Sequence, residues 1–221
     1  KVLSASNDKP VAVSIELPSE VSSDDKLIHD NITLSKKVLS RTKDMETTLS
    51  VSVKDEHGEE SFSWSFDGAE LKNSDKSITD VNLMMSVSQA DKHENTQKIV
   101  SELNKEDVPA ITVSFNHSGV LPATARVKVN LKNILTSTKD NNEKKDIKPG
   151  SEVYVYYYNN TTGKLESLPN NKYVIDENGF ITMMITHCSE YIILPEPVDN
   201  DLAVDLLSQI VIYPSDTVLY Y

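Results

Sequence analysis

The chain has 221 residues, enough for one large β domain or two small ones. Its formal net charge of −12 argues against a nucleic-acid surface, which needs a basic face. The single cysteine, Cys188, excludes an internal disulfide framework, and no apolar run reaches the roughly 20 residues of a membrane span. We therefore expect neither a nucleic-acid partner nor insertion into a membrane.

Residues 11–66 contain three segments with the alternation of half-buried strands. The first covers residues 11–17, and residues 47–53 and 61–66 form a predicted hairpin around the turn at Gly58. Phe62, Trp64 and Phe66 share one face and serines occupy the other, so Trp64 is predicted to be a core residue. Between the first two strands, apolar residues at helical spacing from Asp24 to Leu39 predict a short helical segment, with a candidate cap at Ser35.

The middle of the chain contains three further predicted strands between polar stretches. A turn at Asp67-Gly68 precedes a strand over residues 78–87, and residues 89–107 read as a polar loop with one helical turn. Residues 111–115 and 125–131 then predict a pair of strands joined across Ser118-Gly119. The Lys- and Asn-rich residues 136–148 have little to bury and are predicted to be an exposed loop.

Residues 150–194 have the pattern of a β-meander, in which consecutive strands pair in chain order. Strands are predicted over residues 153–158, 172–175, 180–186 and 191–194. Turns at residues 159–163 and 176–179 separate the first three, and both turns contain the asparagine and glycine that tight turns favour. The fourth strand is separated from the third by His187-Cys188-Ser189.

Together these segments predict an all-β, β-sandwich-like fold, mostly antiparallel, with one short helical segment. Two arrangements stay open: a single module, or two packed β units split near residue 108, covering residues 1–107 and 108–194. Residues 195–201 are acidic and proline-rich, as in a stiff linker. Residues 195–221 are accordingly predicted to be a linker followed by the start of a further module.

No grouping of residues in the sequence indicates catalysis, a metal or a cofactor. The five histidines are scattered, and the motifs of serine hydrolases, phosphate loops and zinc sites are not found. Asp199, Asp201 and Asp205 have a spacing that loosely suggests calcium ligands, but the glycine and late glutamate of a calcium loop are missing. We therefore expect a chain that is not an enzyme, with no metal and no cofactor.

The strand at residues 153–158 places three phenols on one sheet face. Tyr154, Tyr156 and Tyr158 alternate with residues of the opposite face. Such a row of rings can stack on sugars while its hydroxyls form hydrogen bonds, which predicts a glycan-binding platform. The alternative is that the three tyrosines pack inside the protein, because aromatic residues favour strands on packing grounds alone.

The triplet His187-Cys188-Ser189 matches the H-x-S step of self-cleaving β domains. In that chemistry the Ser189 hydroxyl would attack the preceding carbonyl carbon, with His187 assisting proton transfer, and the chain would divide between Cys188 and Ser189. The reaction also needs a strained peptide bond, which a sequence does not reveal. The alternative is a tight bend that contains a buried, unreactive Cys188.

Four segments in this order resemble a β-rich module of secreted, multi-domain surface proteins from anaerobic Gram-positive gut bacteria. The resemblance covers roughly residues 45–194, and its end, with Cys188 in place of phenylalanine, is similar to the H-F-S step of ZU5-type autoproteolytic domains. The four segments are Ser63–Gly68 (SWSFDG), Ser118–Pro122 (SGVLP), residues 153–166 with VYVYYYN and TGKLE, and Ile185–Tyr191 (ITHCSEY).

The resemblance implies an extracellular location, either secreted or attached to the cell surface, beside neighbouring modules of the same chain. The leading functional expectation is a non-catalytic module that binds a polysaccharide or oligosaccharide, such as starch or plant fibre, through Tyr154, Tyr156 and Tyr158. A structural spacer without a ligand is the competing interpretation. A self-processing domain that cleaves at His187-Cys188-Ser189 is the third.

Overall fold

The computed structural model describes residues 11–16, 31–55, 57–89, 97, 109–135, 147–159, 161–198 and 203–205. The strands are β1 (Val11–Glu16), β2 (Thr33–Leu34), β3 (Thr48–Lys54), β4 (Glu60–Asp67), β5 (Val81–Asn82), β6 (Met85–Gln89), β7 (Ile111–Asn130), β8 (Glu152–Asn159), β9 (Lys164–Val174), β10 (Phe180–Leu194) and β11 (Ala203–Asp205). The helices with described bounds are α1 (Lys36–Met45) and α2 (Gly68–Asn73). The predicted all-β, mostly antiparallel fold is confirmed.

Nine strands form one sheet in the order β1-β3-β4-β7-β10-β8-β9-β11, with β6 pairing to β7 beside this path. The edge pairs β1–β3 and β9–β11 are parallel, while the inner pairs are antiparallel. The short strands β2 and β5 form a separate two-stranded sheet. The described helices are too short and too polar to cross a lipid bilayer.

The long strands β7 and β10 divide the large sheet into two halves. Residues 125–130 of β7 pair with β4 on one side and with residues 180–185 of β10 on the other. Residues 111–115 of β7 pair instead with β6 and with residues 190–193 of β10, which continue to β8. Bulges between Ile185 and His187, and between Cys188 and Glu190, separate the two pairings of β10. We name the part that contains β3 and β4 the first half-sheet, and the part that contains β8 and β9 the second half-sheet.

The two half-sheets face each other across one hydrophobic core, which gives the sandwich-like packing. Trp64 of the first half-sheet is fully buried, and its ring meets Phe115 of the second edge-on, with centroids 5.4 Å apart. Phe115 in turn contacts the ring of Tyr191 at 5.6 Å. The indole N–H of Trp64 donates a hydrogen bond to the Leu83 carbonyl oxygen at 2.9 Å. The prediction that Trp64 belongs to the core is confirmed.

The predicted hairpin between residues 111–115 and 125–131 is wrong. Both segments belong to the single strand β7 and do not pair with each other. On one side of β7, residues 111–115 pair with β6 and residues 125–129 pair with β4. Strand β10 extends along most of β7, so each segment of β7 finds its partner there. Gly119, whose φ of 94° favours glycine, lies within β7 where the sequence predicted a turn.

The predicted meander is confirmed only in its first pair, because β8 and β9 are antiparallel neighbours. Strand β10 pairs with β8 and not with β9, so the third strand is not in the predicted order. The turn at Asp176–Gly179 does form, but it carries the chain from the second half-sheet to the first. His187-Cys188-Ser189 lies at the bulges inside β10 and does not separate two strands. Strand β9 also begins eight residues earlier than predicted, at Lys164.

Asp67-Gly68, predicted as a simple turn, begins helix α2. The Asp67 carboxylate accepts hydrogen bonds from the N–H groups of Ala69 and Glu70 and thereby caps the helix. Gly68 is required by close packing, because a Cβ there would lie 2.4 Å from the Thr42 carbonyl oxygen at the end of α1. The predicted strand over residues 78–87 forms two short strands, β5 and β6.

Strands from both sides of residue 108 share one sheet and one core, so the predicted division into two units is wrong. Strand β4 pairs directly with β7, and Trp64 and Val153 belong to the same hydrophobic cluster. Part of the predicted linker is also wrong, because Val198 is buried and β11 pairs with β9. Ile147, assigned to the exposed loop, is 1% exposed. The predictions for residues 17–30, 90–96, 98–108 and 136–146 lie outside the described residues, as do those for 206–221.

Candidate functional site

The three tyrosines predicted to form a glycan platform share one face of β8, but that face is covered. Tyr156 is 1% exposed and Tyr158 is 5% exposed, while Tyr154 is half-buried beside them. They pack in a second hydrophobic cluster on the outer side of the second half-sheet, with Ala110, Leu165, Ile192, Leu194 and Val198. The prediction of an open platform is therefore wrong, and the alternative interpretation of these rings as packed residues holds.

The segment that covers the tyrosines is held by a hydrogen bond to one of them. The Val198 N–H donates to the Tyr156 hydroxyl oxygen at 2.9 Å in a buried position. Burial raises the pKa of Tyr156, and the hydrogen bond from Val198 opposes that shift only in part. Val198 was the only sequence signal for this packing, as an apolar residue among acidic and proline residues.

The His187-Cys188-Ser189 step lies where β10 passes between the half-sheets. Cys188 is 1% exposed, and burial raises the pKa of its thiol to about 12, so the reactive thiolate is disfavoured at neutral pH. The Tyr191 hydroxyl donates a hydrogen bond to the His187 carbonyl oxygen at 2.6 Å, which fixes the backbone beside the step. Self-processing at this step stays an untested alternative to the tight bend with a buried Cys188.

Around His187 the structure gathers several titratable groups. The His187 ring meets the Tyr157 ring edge-on at 5.2 Å, and its Nδ1 atom is buried without a hydrogen-bond partner. Burial lowers the pKa of His187, and Glu166 raises it by a smaller amount. Burial and the nearby His187 both lower the pKa of His117. The Glu166 carboxylate is itself buried and accepts a hydrogen bond from the Asn159 side chain at 2.7 Å.

The outer side of the first half-sheet carries a different candidate site, which we name the serine face. In β3, β4, β7 and β10 its side chains alternate with buried core residues, and the strand registers align them with side chains of β1 in two rows across the sheet. The first row is Ala12, Ser50, Ser65, Arg126 and Met184, and the second is Ser14, Ser52, Ser63, Lys128 and Thr182.

The serine face is partly exposed to solvent, and six of its ten side chains carry a hydroxyl group. Neighbouring strands lie about 4.8 Å apart, and alternate residues of one strand about 6.7 Å apart, so the hydroxyls form a regular array. Ser50 and Ser65 share a hydrogen bond of 2.7 Å between their hydroxyl oxygens, which links adjacent strands within the first row. A hydroxyl both donates and accepts, so the array can bind the hydroxyl groups of a sugar.

A cleft of about 470 Å³, which we name the phenylalanine cleft, lies at one end of the serine face. Phe180 and Asn130 are cross-strand neighbours that form the next row beyond Thr182 and Lys128, and both residues line the cleft. Lys128 places its ammonium 4.0 Å from the centre of the Phe180 ring and 3.4 Å from a Glu60 carboxylate oxygen. The remaining lining residues are Glu59, Glu60, Lys132, Pro149, Glu177 and Asn178.

A second cleft of about 340 Å³, the threonine cleft, lies at the opposite end of the same face. Thr124 of β7 and Thr186 of β10 lie next to Arg126 and Met184 and line this cleft. The opposing wall contains Glu70 of α2 and Asp75, which follows the helix. Along β7 and β10 the serine face thus runs from one cleft to the other, and Met184 is an exposed apolar residue within it. The alternation of serine with core residues in β3 and β4 was visible in the sequence, but the pairing of β4 with β7 was not.

Within the described part of the chain, no three His, Cys, Asp or Glu side chains are grouped to hold a metal ion. The side chains of Asp199, Asp201 and Asp205, whose spacing loosely suggests calcium ligands, lie outside what the structure describes. No protein-family model matches this chain, and neither a curated protein nor a solved structure matches it.

Proposed function

We propose that this chain is a non-catalytic, extracellular module that binds a polysaccharide through the serine face, as part of a multi-domain bacterial surface protein. The observation that carries the proposal is the alignment of serine and threonine side chains in two open rows across five strands. The ligand class is a plant-fibre or starch-type glycan, whose hydroxyl groups both donate and accept hydrogen bonds.

The shape of the serine face supports this proposal over a spacer without a ligand. An extended glycan needs a long, accessible strip, and the outer side of β7 and β10 provides one that runs along the strands from the phenylalanine cleft to the threonine cleft. The partly exposed Phe180 ring is the aromatic group of this strip, although Lys128 covers one part of it. Binding would be weak, with Kd values on the order of 10–1000 μM for a short oligosaccharide, about −4 to −7 kcal/mol.

The experiment is a binding panel of insoluble cellulose, xylan, mannan and starch, followed by calorimetric titration with the matching oligosaccharide. The variant Ser52→Ala/Ser63→Ala removes two neighbouring hydroxyls of the second row. We expect each lost hydrogen bond to cost about 0.5–1.5 kcal/mol of binding free energy. Ser86→Ala is the matched control, because Ser86 is an exposed strand serine of the second half-sheet.

Tyr154→Ala distinguishes this site from the tyrosine cluster, and we expect it to leave binding unchanged. If no glycan in the panel binds the folded protein, the proposal is wrong and the spacer interpretation remains. The proposal also fails if a glycan binds wild type and the double serine variant equally well.

A further inference from the structure

The serine face carries two cations on β7, between the two clefts, although the chain as a whole has a net charge of −12. Arg126 stands in the first row between Ser65 and Met184. Lys128 stands beside it in the second row, between Ser63 and Thr182. The two residues project from the same side of β7, the fourth of the five strands of the face, and lie between Thr124 of the threonine cleft and Asn130 of the phenylalanine cleft.

The two cations differ in the contacts that their charged groups already make with other side chains. Lys128 lies 3.4 Å from the Glu60 carboxylate and over the Phe180 ring. Arg126 is exposed, and no carboxylate among the described residues pairs with it. A guanidinium group presents a planar fork of N–H donors that matches the two oxygens of a carboxylate. Arg126 therefore offers an anion-binding group within the hydroxyl array, beside a Lys128 that already contacts Glu60.

The two ends of the face have the opposite charge. The phenylalanine cleft contains Glu59, Glu60 and Glu177, and the threonine cleft contains Glu70 and Asp75. Lys132 and Lys76 offset these carboxylates only in part, through exposed contacts of 3.7 Å to Glu59 and 3.2 Å to Asp75. A chain with a negative charge on every sugar would be repelled at both ends, whereas neutral sugars would not.

We propose that the serine face selects a neutral polysaccharide that carries occasional uronic acid groups. The uronate carboxylate binds Arg126, and neutral sugars extend in both directions along β7 towards the two clefts. This inference rests on the proposed function and names the chemical class of its ligand.

The experiment compares two probes of equal backbone length: a xylo-oligosaccharide with one glucuronic acid branch and the unbranched xylo-oligosaccharide. Each is titrated by calorimetry into wild type, Arg126→Gln and Lys164→Gln. We expect wild type to bind the branched probe about fivefold more tightly, since an exposed charge pair contributes up to roughly 1 kcal/mol. Arg126→Gln should remove the preference, while Lys164→Gln, which removes an exposed charge on β9 of the second half-sheet, should keep it.

Salt dependence provides a second readout. Raising the salt concentration from about 50 to about 500 mM should reduce the preference for the branched probe in wild type but leave binding of the unbranched probe nearly constant. Thermal melts should show that Arg126→Gln remains folded, because the side chain is exposed.

The outcomes separate this inference from the function on which it rests. Equal binding of both probes to wild type would overturn the selection of uronic acids and leave glycan binding intact. Failure of both probes, together with failure of the polysaccharide panel, would overturn both proposals. Tighter binding of a densely sulfated glycan such as heparin would show that the acidic ends do not select against high charge, and would also overturn the inference.

Discussion

Tyr156 shows how one buried polar atom fixes a segment that looked like a free linker. Its hydroxyl oxygen accepts the Val198 N–H, so a backbone donor in the covering segment is satisfied by a side chain of β8. From the sequence, the alternation in β8 correctly placed the three tyrosines on one face. Whether that face was open depended on Val198, which lies 42 residues further along the chain.

Tyr156→Phe removes this acceptor without changing the shape of the ring. The Val198 N–H would then be buried without a partner, which costs about 1–3 kcal/mol of unfolding free energy. Chemical denaturation monitored by circular dichroism measures the loss. Tyr154→Phe is the control, since the half-buried Tyr154 lies on the same face, and we expect a change within about 0.5 kcal/mol. Equal stability of Tyr156→Phe and wild type would show that the hydrogen bond does not hold the segment.

His117 and His187 predict a loss of stability in mild acid. Burial lowers the pKa of both side chains below the unfolded value of about 6.5, so the unfolded chain binds more protons than the folded one below that pH. The stability present at neutral pH is therefore lost progressively as the pH falls from about 6.5 towards the lowered folded-state pKa values.

The measurement is urea denaturation between about pH 7.5 and pH 5.5, a window above the ordinary titration range of carboxylates. His187→Gln should reduce the pH dependence, because the variant cannot be protonated at this position. His57→Gln, at an exposed turn, should keep the dependence of wild type. The same slope in His187→Gln and wild type would contradict the prediction.

At the scale of elements, local patterns predicted strands better than they predicted strand partners. The alternation of residues 48–54 and 60–67 correctly placed β3 and β4 and the face that each buries. Turn residues were less informative, because Ser118-Gly119 lies inside β7 and Asp176–Gly179 joins strands of different half-sheets. The paired residues of β4 and β7 are about 60 positions apart in the sequence, so a local pattern does not predict their contact.

Helix α2 depends on a close approach that only glycine permits. A methyl group at Gly68 would lie 2.7 Å from the Thr47 nitrogen and 2.4 Å from the Thr42 carbonyl oxygen, both backbone atoms. We expect Gly68→Ala to cost about 1–3 kcal/mol of unfolding free energy through displacement of α2 from α1. Thermal and urea denaturation measure this, and Ala69→Gly in the same helix tests whether the effect is one of helix propensity. An unchanged stability for Gly68→Ala would mean that the two helices can separate freely.

At the scale of the whole molecule, the shared core predicts a single unfolding transition. The only tryptophan, Trp64, lies before residue 108, and all nine tyrosines lie after it. Because both half-sheets contribute to one core, tryptophan fluorescence and the near-ultraviolet signal of tyrosine should change at the same urea concentration. Two separated transitions would indicate that the chain does contain independent units on either side of residue 108.

The positions of β1 and β11 determine how the module would carry tension. These strands form the opposite edges of the sheet, so a pull applied before β1 and after β11 passes across every pairing between them. The weakest of these is the pairing of β11 with β9, which covers only three residues, against six for β1 with β3. Under load, β11 should therefore detach first and release at most about 25 Å of chain as far as Val198, while the core stays closed. A small first step of that length in a single-molecule extension trace, ahead of the main unfolding event, is the expected signature, and its absence would show that β11 does not yield before the core.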